Sequence, residues 1–176
     1  MKKVMVFGGS NSLTSINKKL AVYAASHLKN ASIKIIDLND FTLPLFGVDI
    51  EEKHGIPIDA YNFNELLKEV DGFIISLAEH NGSYTVAFKN ILDWVSRINV
   101  KVWKDKPMLL LSTSSGFRGA QSVLNIAKAR FPFMGAKIID TFSLPSFYDN
   151  FNNQKITDEF LNDELIELVL QFEDSL

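Results

Sequence analysis

The chain has 176 residues, with 18 Lys and Arg against 21 Asp and Glu, a net charge of −3 and a pI near 5.6. It therefore lacks the basic excess that a nucleic-acid-binding surface needs to neutralise phosphates. There is no cysteine, which excludes disulfides, thiolate nucleophiles and cysteine-ligated metals.

Apolar residues at 47% and charged ones at 22% are the balance of a soluble globular chain, and residues 1–176 read as one domain. The apolar stretch Val4–Phe7 after Lys2 and Lys3 is only a strand's length and ends at Gly8-Gly9. That is too short for a signal peptide, and no run approaches a membrane span, so a cytoplasmic protein without a membrane partner is expected.

In chain order, Lys3–Phe7 reads as a buried strand, and Leu20, Ala21, Ala24, Ala25 and Leu28 recur at helical spacing after it. Ile33–Leu38 reads as a second strand, which completes a βαβ unit. Asn39 to Pro57 shows no helical or strand period and reads as a long loop, a kind that usually serves function or is covered by a partner. Tyr61–Val70 predicts a short helix, Gly72–Leu77 a third strand, Ala78–Ser83 a polar loop and Tyr84–Val95 a helix. Pro107–Leu111 is the fourth strand, followed by the small-residue turn Ser112–Gly116 and a helix near Gly119–Arg130. Lys137–Thr141 is the fifth strand, and Asp158–Phe172 is a closing helix with Thr157 as its expected N-cap.

Strands alternating with helices imply a three-layer α/β fold with a mainly parallel sheet, whose ligand site lies beyond the carboxyl ends of the strands. Three loops rich in small polar residues follow strands, Gly8–Ser15, Ala78–Ser83 and Ser112–Gly119, and a parallel sheet brings them to one edge. The first of them, Gly8 to Asn17, holds two glycines, three serines, a threonine and two asparagines between a buried strand and a helix. Backbone N–H groups, hydroxyl donors and the positive end of a helix dipole converge in such a turn, which makes it an anion site. It has neither the Gly-Lys-Ser/Thr ending of a Walker loop nor the third glycine of the dinucleotide fingerprint.

Gly9-Ser10-Asn11-Ser12-Leu13-Thr14-Ser15-Ile16-Asn17, Glu79-His80-Asn81-Gly82-Ser83 and Phe88-Lys89-Asn90-Ile91-Leu92-Asp93-Trp94 together resemble the motifs of the NAD(P)H-dependent FMN reductases of flavodoxin-like fold. Leu43-Pro44-Leu45-Phe46, Lys106-Pro107 and Ser114-Ser115-Gly116-Phe117-Arg118-Gly119 fit the same family, so the resemblance spans Val4 to about Thr141. The Lys-Asn-x-x-Asp-Trp match is its most specific part.

The resemblance implies a five-stranded parallel sheet in the order 2-1-3-4-5. It also implies an FMN-dependent oxidoreductase that takes a hydride from NADPH or NADH and passes electrons to a quinone, flavin, azo or metal-ion acceptor. A flavodoxin-like electron carrier without NAD(P)H oxidase activity is the alternative. By the resemblance, Ser10, Ser12, Ser15, Ile16 and Asn17 hold the FMN phosphate, Glu79, His80, Asn81, Gly82 and Ser83 line the isoalloxazine, and Ser114, Ser115, Gly116 and Gly119 border its other edge and the ribityl chain. No catalytic side chain and no metal are expected, since the chemistry belongs to the flavin.

Two positions depart from the family pattern: Ser12 stands where an arginine is usual, leaving Lys18 or a partner subunit to supply charge, and His80 stands where a tyrosine is usual. Lys89 and Asp93, four apart, read as an intrahelical ion pair, and Trp94 and Trp103 as core or interface aromatics. Arg118 reads equally as a phosphate ligand or a solvated surface residue. The family resemblance implies a homodimer or homotetramer, with the aromatic stretches Phe41–Phe46 and Phe147–Phe151 suited to an interface or to burial within one subunit.

Overall fold

The computed structural model describes residues 1–176. Its main sheet holds β1 (Lys2–Gly9), β2 (Ala31–Ile35), β3 (Gly72–Leu77), β4 (Lys106–Thr113) and β5 (Ala136–Leu144). Every pairing is parallel and the order is β2-β1-β3-β4-β5 under this numbering, the order that the family resemblance implied. The helices are α1 (Ile16–Ala25), α2 (Val48–His54), α3 (Ile58–Lys68), α4 (Val86–Ile98), α5 (Gln121–Arg130), α6 (Phe147–Asn150) and α7 (Glu159–Asp174).

An all-parallel sheet must be covered on both faces, and alternation along the strands divides the core in two. Met5, Phe7, Phe73, Ile75, Met108 and Leu110 face α3, α4 and α5 in one apolar cluster. Their neighbours Val4, Val6, Ile74, Leu109 and Leu111 face α1 and α7 in the other. β1 and β3 lie inside the sheet, which is why they read as continuous apolar runs. β2 is an edge strand with Ile33 and Ile35 exposed, and it begins earlier than the sequence suggested.

The structure corrects the expected elements at four places. The Asn39–Pro57 stretch is not structureless, since it holds α2, bounded by Gly47 at its N-cap and Gly55 (φ +72°) at its C-cap. That helix buries no residue, so it has no apolar period to read, and it rests on dipole-complementing charges: Asp49 and Glu51 first, Lys53 and His54 last. The polar loop after β3 is a hairpin, Glu79–His80 against Ser83–Tyr84, turned by Asn81 and Gly82 with φ of 51° and 76°. Asn-Gly is the residue pair that suits a two-residue turn with both φ positive. The N-cap of α7 is Asp158 rather than Thr157, its carboxylate accepting from Leu161 N at 2.9 Å. Finally, α6 and a second small hairpin, Phe151–Asn152 with Lys155–Ile156, precede α7.

The Lys89–Trp94 motif has a structural role. Lys89 and Asp93 pair at 2.6 Å within α4, as expected. Asn90 Nδ2 and Trp94 Nε1 both donate to the Pro44 carbonyl, at 2.9 and 2.7 Å, and Asn90 Oδ1 accepts from Phe46 N. The motif thus straps the Leu43–Phe46 segment onto α4, with Phe46 edge-on to Trp94 at 5.0 Å. Both tryptophans are fully buried, and Trp103 packs between Phe73 and Phe131.

The carboxyl end of β1 packs directly on the first turn of α1. A Cβ at Gly8 would lie 2.5 Å from Lys18 N and 2.9 Å from Lys18 Cα, both backbone atoms that cannot swing away. Gly8→Ala is therefore expected to push α1 off the sheet and cost about 1–3 kcal/mol, the range for overpacking. Urea unfolding measures it, and an unchanged midpoint would show that α1 tolerates displacement.

Candidate active site

The loop after β1 runs into α1 through a series of local hydrogen bonds. Ser15 caps the helix, its hydroxyl accepting from Lys18 N at 3.1 Å. Ser10 Oγ accepts from Ser12 N at 3.1 Å, and Ser12 Oγ from Thr14 N at 3.3 Å. The loop is thereby folded by its own hydroxyl oxygens, while the protons of the Ser10 and Ser15 hydroxyls go to no protein acceptor. Ile16 and Asn17, the first two residues of α1, have N–H groups with no intrahelical acceptor. Hydroxyl protons and free helix N–H groups at one place form a donor set built for an anion.

Asn17 locks this loop to the sheet. Its Oδ1 accepts from Ser76 Oγ on β3 at 2.7 Å and from Thr113 N on β4 at 3.0 Å, and its Nδ2 donates to the Thr113 carbonyl at 3.1 Å. All three residues are buried. A second clamp comes from Thr85, whose hydroxyl donates to Gly9 O at 2.8 Å and accepts from Phe88 N at the start of α4. Glu79 reaches across to α5, accepting from Val123 N at 3.0 Å in that helix's first turn.

These clamps close a cavity of about 280 Å³ at the carboxyl edge of the sheet. Of the residues picked out from sequence, Ser10, Ser12, Ser15, Ile16 and Asn17 line it together with Glu79, His80, Ser114 and Ser115. Asn81, Gly82 and Ser83 do not: all three are exposed, Asn81 and Gly82 as the turn and Ser83 as the first residue of the returning strand in the hairpin that presents His80. Gly116 and Gly119 also lie outside the lining and act on backbone geometry. The Gly119 carbonyl accepts from Ser112 Oγ and Ser143 Oγ, and a Cβ there, at φ +56°, would sit 2.3 Å from Ser143 Oγ.

Thr14, Ala78, Thr113 and Tyr148 complete the wall and were not picked out from sequence. Thr14, Ala78 and Thr113 sit beside residues that were picked out. Tyr148 arrives from α6, within the aromatic stretch Phe147–Phe151 that the sequence suggested only for an interface or for burial.

Glu79 is the one carboxylate and no Lys or Arg reaches the lining. Lys18, a candidate for the missing cation, pairs instead with Asp37. Burial resists ionisation of that carboxyl, but hydrogen bonds from Lys18 and Asn39 and the charge of Lys18 outweigh it and hold its pKa below the ordinary value. Arg118 is exposed and reaches only Ser122 Oγ, at 3.4 Å. Burial pushes the Tyr84 phenol, at the base of the hairpin, up to about 12, with Arg130 opposing, so it stays neutral. Of the aromatic stretches, Phe41 and Phe46 pack inside the subunit, against Phe63 and Trp94, and Phe147 is buried, while Tyr148 is exposed at the cavity rim.

A doubly wound parallel sheet with a neutral, hydroxyl-rich anion cradle at its carboxyl edge is a flavodoxin-like fold. The chain belongs to the NADPH-dependent FMN reductase family, whose model matches residues 2–149. It is 33% identical over 124 residues to an NADPH:quinone oxidoreductase of Arabidopsis thaliana, across 68% of this chain and 62% of that protein. It is 34% identical over 119 residues to a 2-hydroxy-1,4-benzoquinone reductase of a Burkholderia species, across 66% and 63%. These matches span less than two thirds of those relatives' own length. Among solved structures, FerB, a flavoenzyme NAD(P)H:(acceptor) oxidoreductase from Paracoccus denitrificans, superposes with a TM-score of 0.78 at 24% identity, covering 99% of this chain and 97% of that one. That likeness establishes the fold.

Asn17→Ala leaves the Ser76 hydroxyl and both backbone groups of Thr113 without their partner. It is expected to cost about 2–4 kcal/mol, the sum of lost bonds and newly unsatisfied buried groups, read as a lowered urea midpoint. A loss below about 0.5 kcal/mol would show that water replaces the side chain at no cost.

Proposed function

We propose that this chain is an FMN-dependent NAD(P)H oxidoreductase whose electron acceptor is a quinone or a related small molecule. The observation that carries the reading is the Ser10–Asn17 cradle, whose undonated hydroxyl protons and helix N–H groups sit at one end of a cavity flanked by Glu79, His80, Ser114 and Ser115. The donor set fits a phosphate ester, and the polar residues that share the cavity with it, Glu79, His80, Ser114 and Ser115, suit a ribityl chain and a ring edge. Bound FMN supplies hydride and single-electron chemistry.

What the chain itself does is bind, orient and shield. Ser10, Ser12 and Ser15 with the N–H groups of Ile16 and Asn17 receive the phosphate. Ser114 and Ser115 lie along the side, while the buried Thr113 hydroxyl is spent on the Leu144 carbonyl at 2.7 Å, and Glu79, anchored on Val123 N, ties the hairpin that carries His80 to α5. The quinone and NAD(P)H in the names of the relatives point to the same donor and acceptor classes here.

On this reading the chain acts as one unit over residues 1–176, in the cytoplasm where reduced nicotinamide is available; no helix is long and apolar enough to cross a membrane. We also infer self-association. Leu45 on the segment strapped to α4, Val48 at the start of α2 and Val86 at the start of α4 are all more than half exposed, and burying such apolar side chains against a second copy supports this reading.

Purified protein is expected to bind FMN and to oxidise NADPH or NADH in a quinone-dependent manner. Protein with no calorimetric or thermal-shift response to FMN would refute the flavin reading, and bound flavin without NAD(P)H consumption would make it an electron carrier. Ser10→Asp places a carboxylate against the phosphate and is expected to weaken FMN binding about a hundredfold. Unchanged affinity would remove Ser10 from the site.

A further inference from the structure

A second cavity, of about 620 Å³, adjoins the first across Thr14 and Ser15, which line both. Its floor is the outward face of α1, with Val22, Tyr23 and Ser26, and its far wall is the small hairpin that precedes α7. Phe151 of that hairpin stands edge-on to Tyr23 with ring centroids 5.6 Å apart, and Phe147 stacks behind it at 4.7 Å. Asn162 holds the Tyr23 hydroxyl, so the aromatic corner is fixed. The tight turn at Asn153 and Gln154, with φ of 48° and 61°, sets the Gln154 amide at the rim.

Charge separates this cavity from an apolar groove. Lys18 and Lys19 both line it. Lys18 is committed to Asp37, whereas Lys19 forms no ion pair. A free cation at the first turn of a helix opposes the helix dipole, so it gains from an anion placed there. Two aromatic rings, an amide and an unpaired ammonium are the recognition set for a flat heteroaromatic base that carries a phosphate. The volume lies within the range of small-molecule sites.

We infer that this cavity receives the adenosine phosphate half of a dinucleotide. The inference rests on the flavin-phosphate reading of the first cavity. A ligand whose phosphate lies in the Ser10–Ser15 cradle can carry a second phosphate past Thr14 to Lys19 and lay its base against Tyr23 and Phe151. Two dinucleotides present this chemistry: FAD, joined through the flavin's own phosphate, and the nicotinamide donor, which brings its own adenosine phosphate.

Calorimetry separates the two sources. If FAD is the occupant, apo protein binds FAD about tenfold or more tightly than FMN, the advantage expected of one base stacked on aromatic rings. Lys19→Ala and Phe151→Ser then erase that advantage and leave the FMN affinity within about twofold. Lys19 is a solvent-exposed helix residue, so its variant folds even where loss of Phe151 disturbs the hairpin. If the donor is the occupant, FAD is no tighter than FMN, yet ADP binds to FMN-saturated protein and is lost in Lys19→Ala. No FAD advantage and no ADP binding overturns the inference, as does a variant that weakens FMN as much as FAD. Failure of FMN itself to bind would instead refute the flavin reading, and Lys19-dependent binding of ADP to the free protein would still decide the second cavity.

Discussion

The first turn of α1 is held to the sheet by one side chain. Asn17 uses its carbonyl oxygen twice and its amide once to join β3 and β4, and it does so where it is almost wholly removed from water. An amide is suited to this because it offers acceptor and donor on one rigid plane, and buried polar groups must be paired or be costly. Were the helix start free to shift, the hydroxyls of Ser10 and Ser15 and the free N–H groups of α1 would no longer converge. The cradle is therefore a consequence of a structural bond as much as of its own residues.

The cradle carries no cation of its own. Its donors are hydroxyls and backbone N–H groups, Lys18 is paired with Asp37, and Glu79 is the lone carboxyl side chain of the wall. Donors fixed in place by the fold have little freedom to lose when a ligand arrives, which is the physical means by which an uncharged site offsets the lack of a cation. Fixity is visible throughout: each hydroxyl of the loop has its oxygen engaged, and the hairpin carrying His80 is tied to α5 through Glu79.

The segment most specific to the family works at a distance from the cradle. Asn90 and Trp94 grip the Pro44 carbonyl and the Phe46 amide, fastening a strap over α4, while Lys89 and Asp93 pair on the exposed side. This strap covers a buried indole on one flank and leaves Leu45 exposed, which couples the sequence motif to the shape of the surface over α4.

The sheet was readable in the amino-acid order because strands buried on both faces must be apolar throughout, as Val4–Phe7, Phe73–Ile75 and Met108–Leu111 are. The glycine and serine turns between strands and helices were readable for the same local reason: few other residues make them. α2 escaped because a solvated helix held by its charges leaves no apolar period, and the hairpin at Asn81-Gly82 escaped because its strands are two residues long. Tertiary structure alone decided that Lys18 faces Asp37, that Gly116 and Gly119 shape backbone rather than line the cavity, and that Tyr148 and the second cavity's Tyr23–Phe151 corner exist at all. Those facts depend on which side chains meet across sequence separations of tens of residues, and chain order fixes local periodicity, not the partner at the far end of a contact.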